Sequence, residues 1–268
     1  MFLREVRLRS ERLTDAETFP WSLPLLRDFE YLRFASPVTF FVGENGSGKS
    51  TLLEGIACAA GATAMGGEDF ARDPTLAAAR ELASGLTLVR AGRPRAKLFM
   101  RAEDVFGYTQ RVARDMAELK ETAAGFAGSR AEGYIAAQRR TLANRYGEDP
   151  DARSHGETFL ALLGARLVPA GLYFLDEPET PLSPVRVLGL LAILSDAVTA
   201  GSQFVVATHS PILMALPGAE ILQFENGAMS AVAYEDVEHV RVTRDFLNAP
   251  QRYLRRLELA PGDGEAGS

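Results

Sequence analysis

A single cysteine, Cys58, leaves this 268-residue chain without an internal disulfide and without a multi-cysteine zinc site. No apolar run approaches the roughly 20 residues needed to cross a bilayer. Charge begins at Arg4, Glu5 and Arg7, unlike a signal peptide. The expectation is a cytoplasmic chain with no membrane insertion of its own. No positive surplus drives it toward nucleic acid or an anionic membrane: 29 Lys and Arg against 35 Asp and Glu give a formal net charge of −6. A local basic patch remains compatible with that balance. No internal repeat is visible, and no heptad run is sustained, which excludes a solenoid and a long coiled-coil arm. What is present is an ordinary globular composition, 47% hydrophobic, enough for one substantial core with room for a subdomain.

The most informative stretch is Phe40-Phe41-Val42-Gly43-Glu44-Asn45-Gly46-Ser47-Gly48-Lys49-Ser50-Thr51. Val38 to Val42 is a buried-strand run, and Leu52, Leu53, Ile56 and Ala57 give the next segment a helical apolar face. Between them, Gly43, Gly48, Lys49 and Ser50 satisfy the phosphate-loop pattern G-x-x-x-x-G-K-[ST] in full. Glycines let successive N–H groups turn inward as an anion nest, and the positive end of the following helix adds to the same point. Lys49 would reach the outer phosphates, and the Ser50 hydroxyl would ligate Mg²⁺. Cys58 falls on the apolar face of that helix, where it packs.

Along the chain, Phe2 to Leu8 alternates as an edge or half-buried strand. Residues 10–37 read as irregular, broken by Pro20, Pro24 and Pro37. Phe19 and Trp21 there either stack on an adenine or cap the core, the second being commoner. After a loop marked by Gly61, Gly66, Gly67 and Pro74 come a short helix over 75–83 and strands at 86–89 and 97–100. These strands flank the turn Ala91-Gly92-Arg93-Pro94, so a hairpin is expected. Arg90, Arg93, Arg95, Lys97 and Arg101 make it the most basic region, either a solvated face or a contact to nucleic-acid phosphates. Helices at 112–124 and 131–144, separated by Gly125 and Gly128, read as an inserted helical subdomain of about 104–165. Further on, Ser183 and Pro184 open a helix through Val198. A strand over 203–208, a hairpin about Asn226-Gly227 and a charged helix over 241–257 follow. The tail 261–268 is expected to be disordered.

Gly171-Leu172-Tyr173-Phe174-Leu175-Asp176-Glu177 is an apolar strand ending in two acids, at the end where ligands bind in open parallel sheets. Asp176 is the candidate for magnesium and Glu177 for the general base. His209 ends another strand and could bond a terminal phosphate as neutral imidazole. Ser154-His155-Gly156-Glu157 is a complete capping box before Phe159, Leu160, Leu162 and Leu163, and a capped N-terminus with a small Gly156 is also an anion site.

These strings resemble the ABC-type ATPases. Gly43 to Thr51, Asn45 included, is similar to their Walker A. Ser154-His155-Gly156-Glu157 resembles their signature, with His155 in place of the first of two glycines. Leu172 to Glu177 resembles Walker B with its catalytic glutamate, and Glu179-Thr180-Pro181-Leu182-Ser183 falls at the D-loop. His209 matches the switch histidine. Order and spacing agree over about 38–215. The strings Asp176-Glu177-Pro178-Glu179 and Thr208-His209-Ser210-Pro211, with Tyr234-Glu235-Asp236, resemble the small bacterial stand-alone AAA family ATPases near the RecF and SMC branch.

Three departures stand out. No glutamine follows the second strand, where Phe99-Met100-Arg101-Ala102-Glu103 puts Ala102 or Glu103. Ser183 replaces the D-loop aspartate, and Arg153 replaces the leucine before the signature serine. The resemblance implies an α/β P-loop fold with a mostly parallel central sheet, an N-terminal antiparallel β portion and the helical insert, in one domain over 1–260. It implies ATP and Mg²⁺ as ligands. It also implies hydrolysis coupled to a homodimer in which the Ser154 signature and the D-loop (Thr180, Leu182, Ser183) serve the partner's nucleotide. The expected partner is a nucleic acid or a protein. The alternatives are the ATP-binding subunit of a membrane transporter and a nucleotide switch in a toxin–antitoxin or defence system. No second acidic cluster supports a fused nuclease.

Overall fold

The computed structural model describes residues 1–9, 17–65, 73–126, 128–146 and 155–257. The chain opens with β1 (Leu3–Leu8), α1 (Pro24–Arg27), β2 (Tyr31–Arg33), β3 (Val38–Gly43), α2 (Lys49–Ala60) and β4 (Thr63–Ala64). Then come α3 (Ala77–Gly85), β5 (Leu86–Arg90), β6 (Lys97–Arg101), α4 (Ala102–Gly125), α5 (Arg130–Tyr146) and α6 (His155–Arg166). The last part holds β7 (Leu172–Asp176), α7 (Pro184–Thr199), β8 (Gln203–Ala207), α8 (Pro211–Met214), β9 (Glu220–Glu225), β10 (Ala228–Ala231), α9 (Glu238–Asn248) and α10 (Pro250–Arg256).

Seven strands form one sheet in the order β10-β9-β3-β8-β7-β6-β4, parallel except for the β9–β10 hairpin. Three more form an antiparallel sheet, β2-β1-β5. The parallel strands are apolar at consecutive positions because helices or a second sheet cover both faces. Side chains alternate between faces. Phe41, Phe174 and Val205 therefore join α2, α3 and the small sheet, while Phe40, Tyr173 and Val206 join α6, α7 and α9 on the other side. The buried Gln203 side chain couples the sheets: Oε1 accepts from Phe2 N (2.7 Å) and Leu3 N (2.9 Å), and Nε2 donates to Leu3 O (2.8 Å).

Several expectations need correction. The strands β5 and β6 do not form a hairpin: β5 pairs with β1, and β6 with β7 and β4. The reason lies in their burial. Leu98, Phe99 and Met100 are buried on both faces and need the central sheet, whereas β5 buries Leu86 and leaves Thr87 and Val89 exposed. Of the two readings of β1, half-buried holds and edge does not: Arg4 and Arg7 are exposed, Leu3 and Val6 are buried, and the strand is central in its sheet. The stretch read as irregular contains β2 and α1, with Pro24 opening the helix where its missing N–H is harmless. The two-residue β4, in the stretch read as loop, adds an edge to the main sheet. The last charged helix is two, divided where Pro250 restarts it after Ala249. Ser183 occupies the N-cap of α7, yet its side chain makes no capping bond. The Asn226-Gly227 turn is as expected, with φ of 51° and 78°. The 261–268 tail lies outside the described residues.

Between β6 and β7 the chain inserts α4, α5 and α6, which pack on one another. Trp21 is core, 4% exposed, with Nε1 donating to Glu81 Oε1 (3.3 Å), while Phe19 is 59% exposed. Cys58 packs against the core from α2.

Candidate functional site

The register brings the carboxyl ends of four strands together. Phe41 and Asp176 both align with Ala207, and Arg101 aligns with Asp176. The loop after β3, the acids after β7 and the histidine after β8 thus open onto one crevice, as parallel α/β sheets provide.

The loop's glycines have separate physical roles. Gly43 runs so close to β9 that a Cβ there would lie 2.3 Å from Phe224 O, at φ 144°. Gly46 and Gly48 have φ of 80° and 95°, the left-handed region that costs glycine little. Gly48 is the N-cap of α2, and Leu52 N donates to its carbonyl (2.9 Å). Glu44, Asn45 and Gly46 are exposed at the tip, and Thr51 is half-buried. The Ser47 hydroxyl is buried with no partner among the described residues. Lys49 is 5% exposed and donates from Nζ to Gly43 O (2.7 Å) and Glu44 O (2.8 Å). Burial pushes its ammonium below the usual lysine value, and Glu177, Asp176 and Glu44 pull it back up.

Ser50 Oγ donates to Asp176 Oδ1 (3.0 Å). Burial, with a smaller push from Glu177, raises the Asp176 carboxyl to about 6; Ser50, Arg101 and Lys49 oppose the shift. A hydroxyl and a desolvated carboxylate beside a buried lysine fit a magnesium ion shared with phosphates, since such a cation stabilises the ionised acid. Among the described residues no group of three or more acidic, histidine or cysteine side chains could hold a metal alone.

Glu177 adopts φ 46°, unusual outside glycine, and its N–H donates to Ala207 O (2.9 Å). This turn presents the carboxylate to the crevice, with Oε1 3.7 Å from His209 Nε2. Thr180 Oγ1 lies 3.4 Å from Glu177 Oε2, and Leu182 N donates to Glu179 O (2.8 Å), so residues 180–182 fold back onto the acidic turn. Ser183 is exposed. Burial, then Lys49 and His239, hold the His209 imidazole below the usual histidine value, against the pull of Glu177 and Glu44.

Sequence reasoning passed over three contributors. Glu179 Oε1 accepts from Thr208 Oγ1 (2.6 Å) and His209 N (2.7 Å), so a buried carboxylate fixes the histidine's backbone. Its signal was its place in the Asp-Glu-Pro-Glu string. Arg101 binds Glu54 of α2 through Nη2 (2.6 Å) and Nε (3.0 Å), placing a cation opposite Asp176 where a glutamine was sought next door. His239 on α9 stands 3.1 Å from His209 Nδ1 through its Nε2, a contact with no local sequence signal.

The basic stretch is largely committed internally. Arg90 Nη2 donates to Ala59 O (3.0 Å) and Lys97 Nζ to Ala60 O (2.7 Å), both at the carboxyl end of α2. The signature string is partly in view. Ser154 and Arg153 lie outside the described residues, and His155 opens α6. Gly156 lies close to its neighbours: a Cβ there would meet Arg186 Cδ at 2.9 Å and Pro181 O at 3.1 Å. The Glu157 carboxylate accepts from Arg186 Nη2 (2.8 Å).

A doubly covered parallel sheet with this loop and these acids defines a P-loop ATPase. The chain belongs to the ABC-type ATPases. It is 30% identical over 197 residues, 70% of this chain and 82% of the relative, to the cytochrome c biogenesis ATP-binding export protein CcmA of Paramagnetospirillum magneticum. Two family profiles match: "AAA domain" over residues 22–99, and "AAA domain, putative AbiEii toxin, Type IV TA system" over 158–215. Among solved structures, the SMC head domain from Thermotoga maritima is 18% identical, covering 87% of this chain and 98% of that one, with a TM-score of 0.46. The cbiO1 protein from Clostridium perfringens, part of the ABC transporter complex cbiONQ, is 17% identical over 86% of this chain and 91% of that one, with a TM-score of 0.43.

Proposed function

We propose that this chain binds ATP with Mg²⁺ and hydrolyses it, and that ATP closes two copies into a homodimer that acts on a nucleic acid or protein partner. The convergence of Lys49, Ser50, Asp176, Glu177 and His209 at one crevice carries this reading. Backbone N–H groups from Glu44 to Thr51 cradle the phosphates, and Lys49 exchanges its two loop carbonyls for phosphate oxygens. Ser50 and Asp176 would hold a Mg²⁺ ion together with the phosphates, and the ion would supply charge neutralisation at the phosphoryl group. Glu177 accepts the proton of the attacking water as general base, and His209 contacts the terminal phosphate.

All these groups come from one subunit and leave one side of the phosphate open. In our reading the signature Ser154, His155, Gly156 and Glu157, at the start of the helical subdomain's last helix, covers that side in the partner copy, with Thr180, Leu182 and Ser183 alongside. In the same reading the helical subdomain, about 104–165, belongs to a single domain over 1–260. Among the described residues no helix is long and apolar enough to cross a membrane. A second reading, the ATP-binding subunit of a membrane exporter, is favoured by the similarity to CcmA, an ATP-binding export protein. Co-purification with a membrane-spanning chain would select it.

The test is Glu177→Gln. Phosphate release should fall roughly 10²–10⁴-fold while ATP still binds. Light scattering should then find a dimer in ATP and a monomer in ADP, and Ser154→Arg should abolish the dimer. Wild-type turnover in Glu177→Gln would remove the base assignment. A monomer in ATP, or a dimer indifferent to nucleotide and to Ser154→Arg, would leave Ser154 a helix cap.

A further inference from the structure

Two of the chain's three histidines meet at the crevice. His209 Nδ1 lies 3.1 Å from His239 Nε2, with ring centroids 5.0 Å apart and planes tilted by 58°. One of the two nitrogens must donate and the other accept. The far side of His209 decides which. Its Nε2 is buried, has no hydrogen-bond partner among the described residues, and faces Glu177 Oε1 at 3.7 Å. A bare lone pair there would oppose a carboxylate, whereas an N–H is attracted to it. His209 therefore carries its proton on Nε2, its Nδ1 is the acceptor, and His239 donates from Nε2.

His239 is held in place by packing rather than by chance. It lies in the first turn of α9, between Val237 and Val240, both buried in the core cluster on that face of the sheet. Glu179 fixes the backbone of His209 from the other side. The imidazole is thus pinned at its main chain and at one ring nitrogen, leaving a single N–H directed at the crevice.

We propose that His239 is a positioning residue for ATP hydrolysis: its Nε2–H bond to His209 Nδ1 holds the His209 ring in the Nε2–H tautomer, with that donor aimed at the terminal phosphate. This rests on the reading of His209 as a phosphate-contacting group. The lowered basicity of His209 favours a singly protonated ring, in which the tautomer decides whether a donor faces the phosphate. It also ties the site to α9, an element outside the strand-end loops.

The experiment compares His239→Phe, His239→Gln and His209→Ala by steady-state ATP turnover and by long-range ¹H–¹⁵N spectra of the imidazoles. His239→Phe keeps a ring and removes the donor. It should lower kcat about three- to tenfold, the worth of one hydrogen bond, with KM within about twofold. The glutamine amide can donate to Nδ1, so His239→Gln should recover most of the rate. In the wild type His209 should show a protonated Nε2 and a hydrogen-bonded, unprotonated Nδ1; in His239→Phe the Nδ1 resonance should move to its free position. A protonated Nδ1 on wild-type His209, or wild-type kcat in His239→Phe, overturns the proposal while leaving the site intact. Equal losses in the Phe and Gln variants also overturn it, since packing alone would then explain them. Wild-type turnover in His209→Ala overturns the role of His209 and the proposal with it.

Discussion

The Ser50 hydroxyl donates to Asp176 Oδ1 across 3.0 Å, joining residues 126 positions apart in the chain. One sits at the start of the loop's helix and the other at the end of β7, and only the sheet order brings them together. If this pair is the protein's share of a magnesium site, Ser50→Ala should leave ATP binding in EDTA nearly unchanged. It should weaken the Mg²⁺-dependent increment by roughly tenfold or more, the scale of losing a supporting group at a metal. Calorimetric titrations of ATP at several Mg²⁺ concentrations measure this, and identical magnesium dependence in both proteins would refute it.

Lys49 is a buried cation held by two carbonyls of its own loop. Its position suits a point charge among phosphates, which no uncharged side chain replaces. Lys49→Ala is expected to give no detectable heat of ATP binding while circular dichroism stays native. Equal affinity in wild type and variant would rule out the phosphate site.

Glu179 joins the acidic turn to the histidine strand. Glu179→Ala strands the Thr208 hydroxyl and the His209 N–H, at a cost of about 1–3 kcal/mol, and should reduce kcat by displacing His209. Burial holds this carboxyl above its ordinary value of 4.5. The folded chain therefore keeps a proton that the unfolded chain has already released. Its contribution to stability falls as pH rises from about 4.5 through the folded value. Glu179→Gln removes that titration, so urea denaturation should show a flatter decline above pH 4.5 than in the wild type. An unchanged slope would contradict the buried-carboxylate account.

The basic stretch makes a narrower prediction than its five cations suggested. Arg90, Lys97 and Arg101 bond to α2, which leaves Arg93 and Arg95 to reach a nucleic-acid backbone. Two phosphate contacts imply that duplex DNA binding weakens only about tenfold between 50 and 200 mM salt. Fluorescence anisotropy should show this slope in the wild type and loss of binding in the Arg93→Glu, Arg95→Glu double variant. Binding that survives charge reversal, or none at low salt, would dispose of this surface.

Local chemistry made the phosphate loop legible. A strand, a glycine turn and a helix start are contiguous, and the steric demand at Gly43, Gly46 and Gly48 is written as residue type. The same holds for Asp176-Glu177 after four apolar residues, for the Asn226-Gly227 hairpin, and for the helices before and after Gly125 and Gly128. Each signal lies within a dozen residues. Partner choice is different. Whether β5 continues into β6 or crosses to β1 depends on which faces are covered, and the pattern of one strand does not say by what. Likewise Arg101 reads as a surface cation until Glu54, on α2, is set beside it at 2.6 Å. Glu179 reads as a spare acid until Thr208 and His209 arrive from the next strand, and His239 as an ordinary helix residue until Val237 and Val240 dock α9. The sequence by itself determined the phosphate chemistry, because that chemistry needs particular residues at short fixed spacing. Only the tertiary structure decided which distant charges and rings surround it, because burial and strand order, not spacing, bring those groups within hydrogen-bond reach.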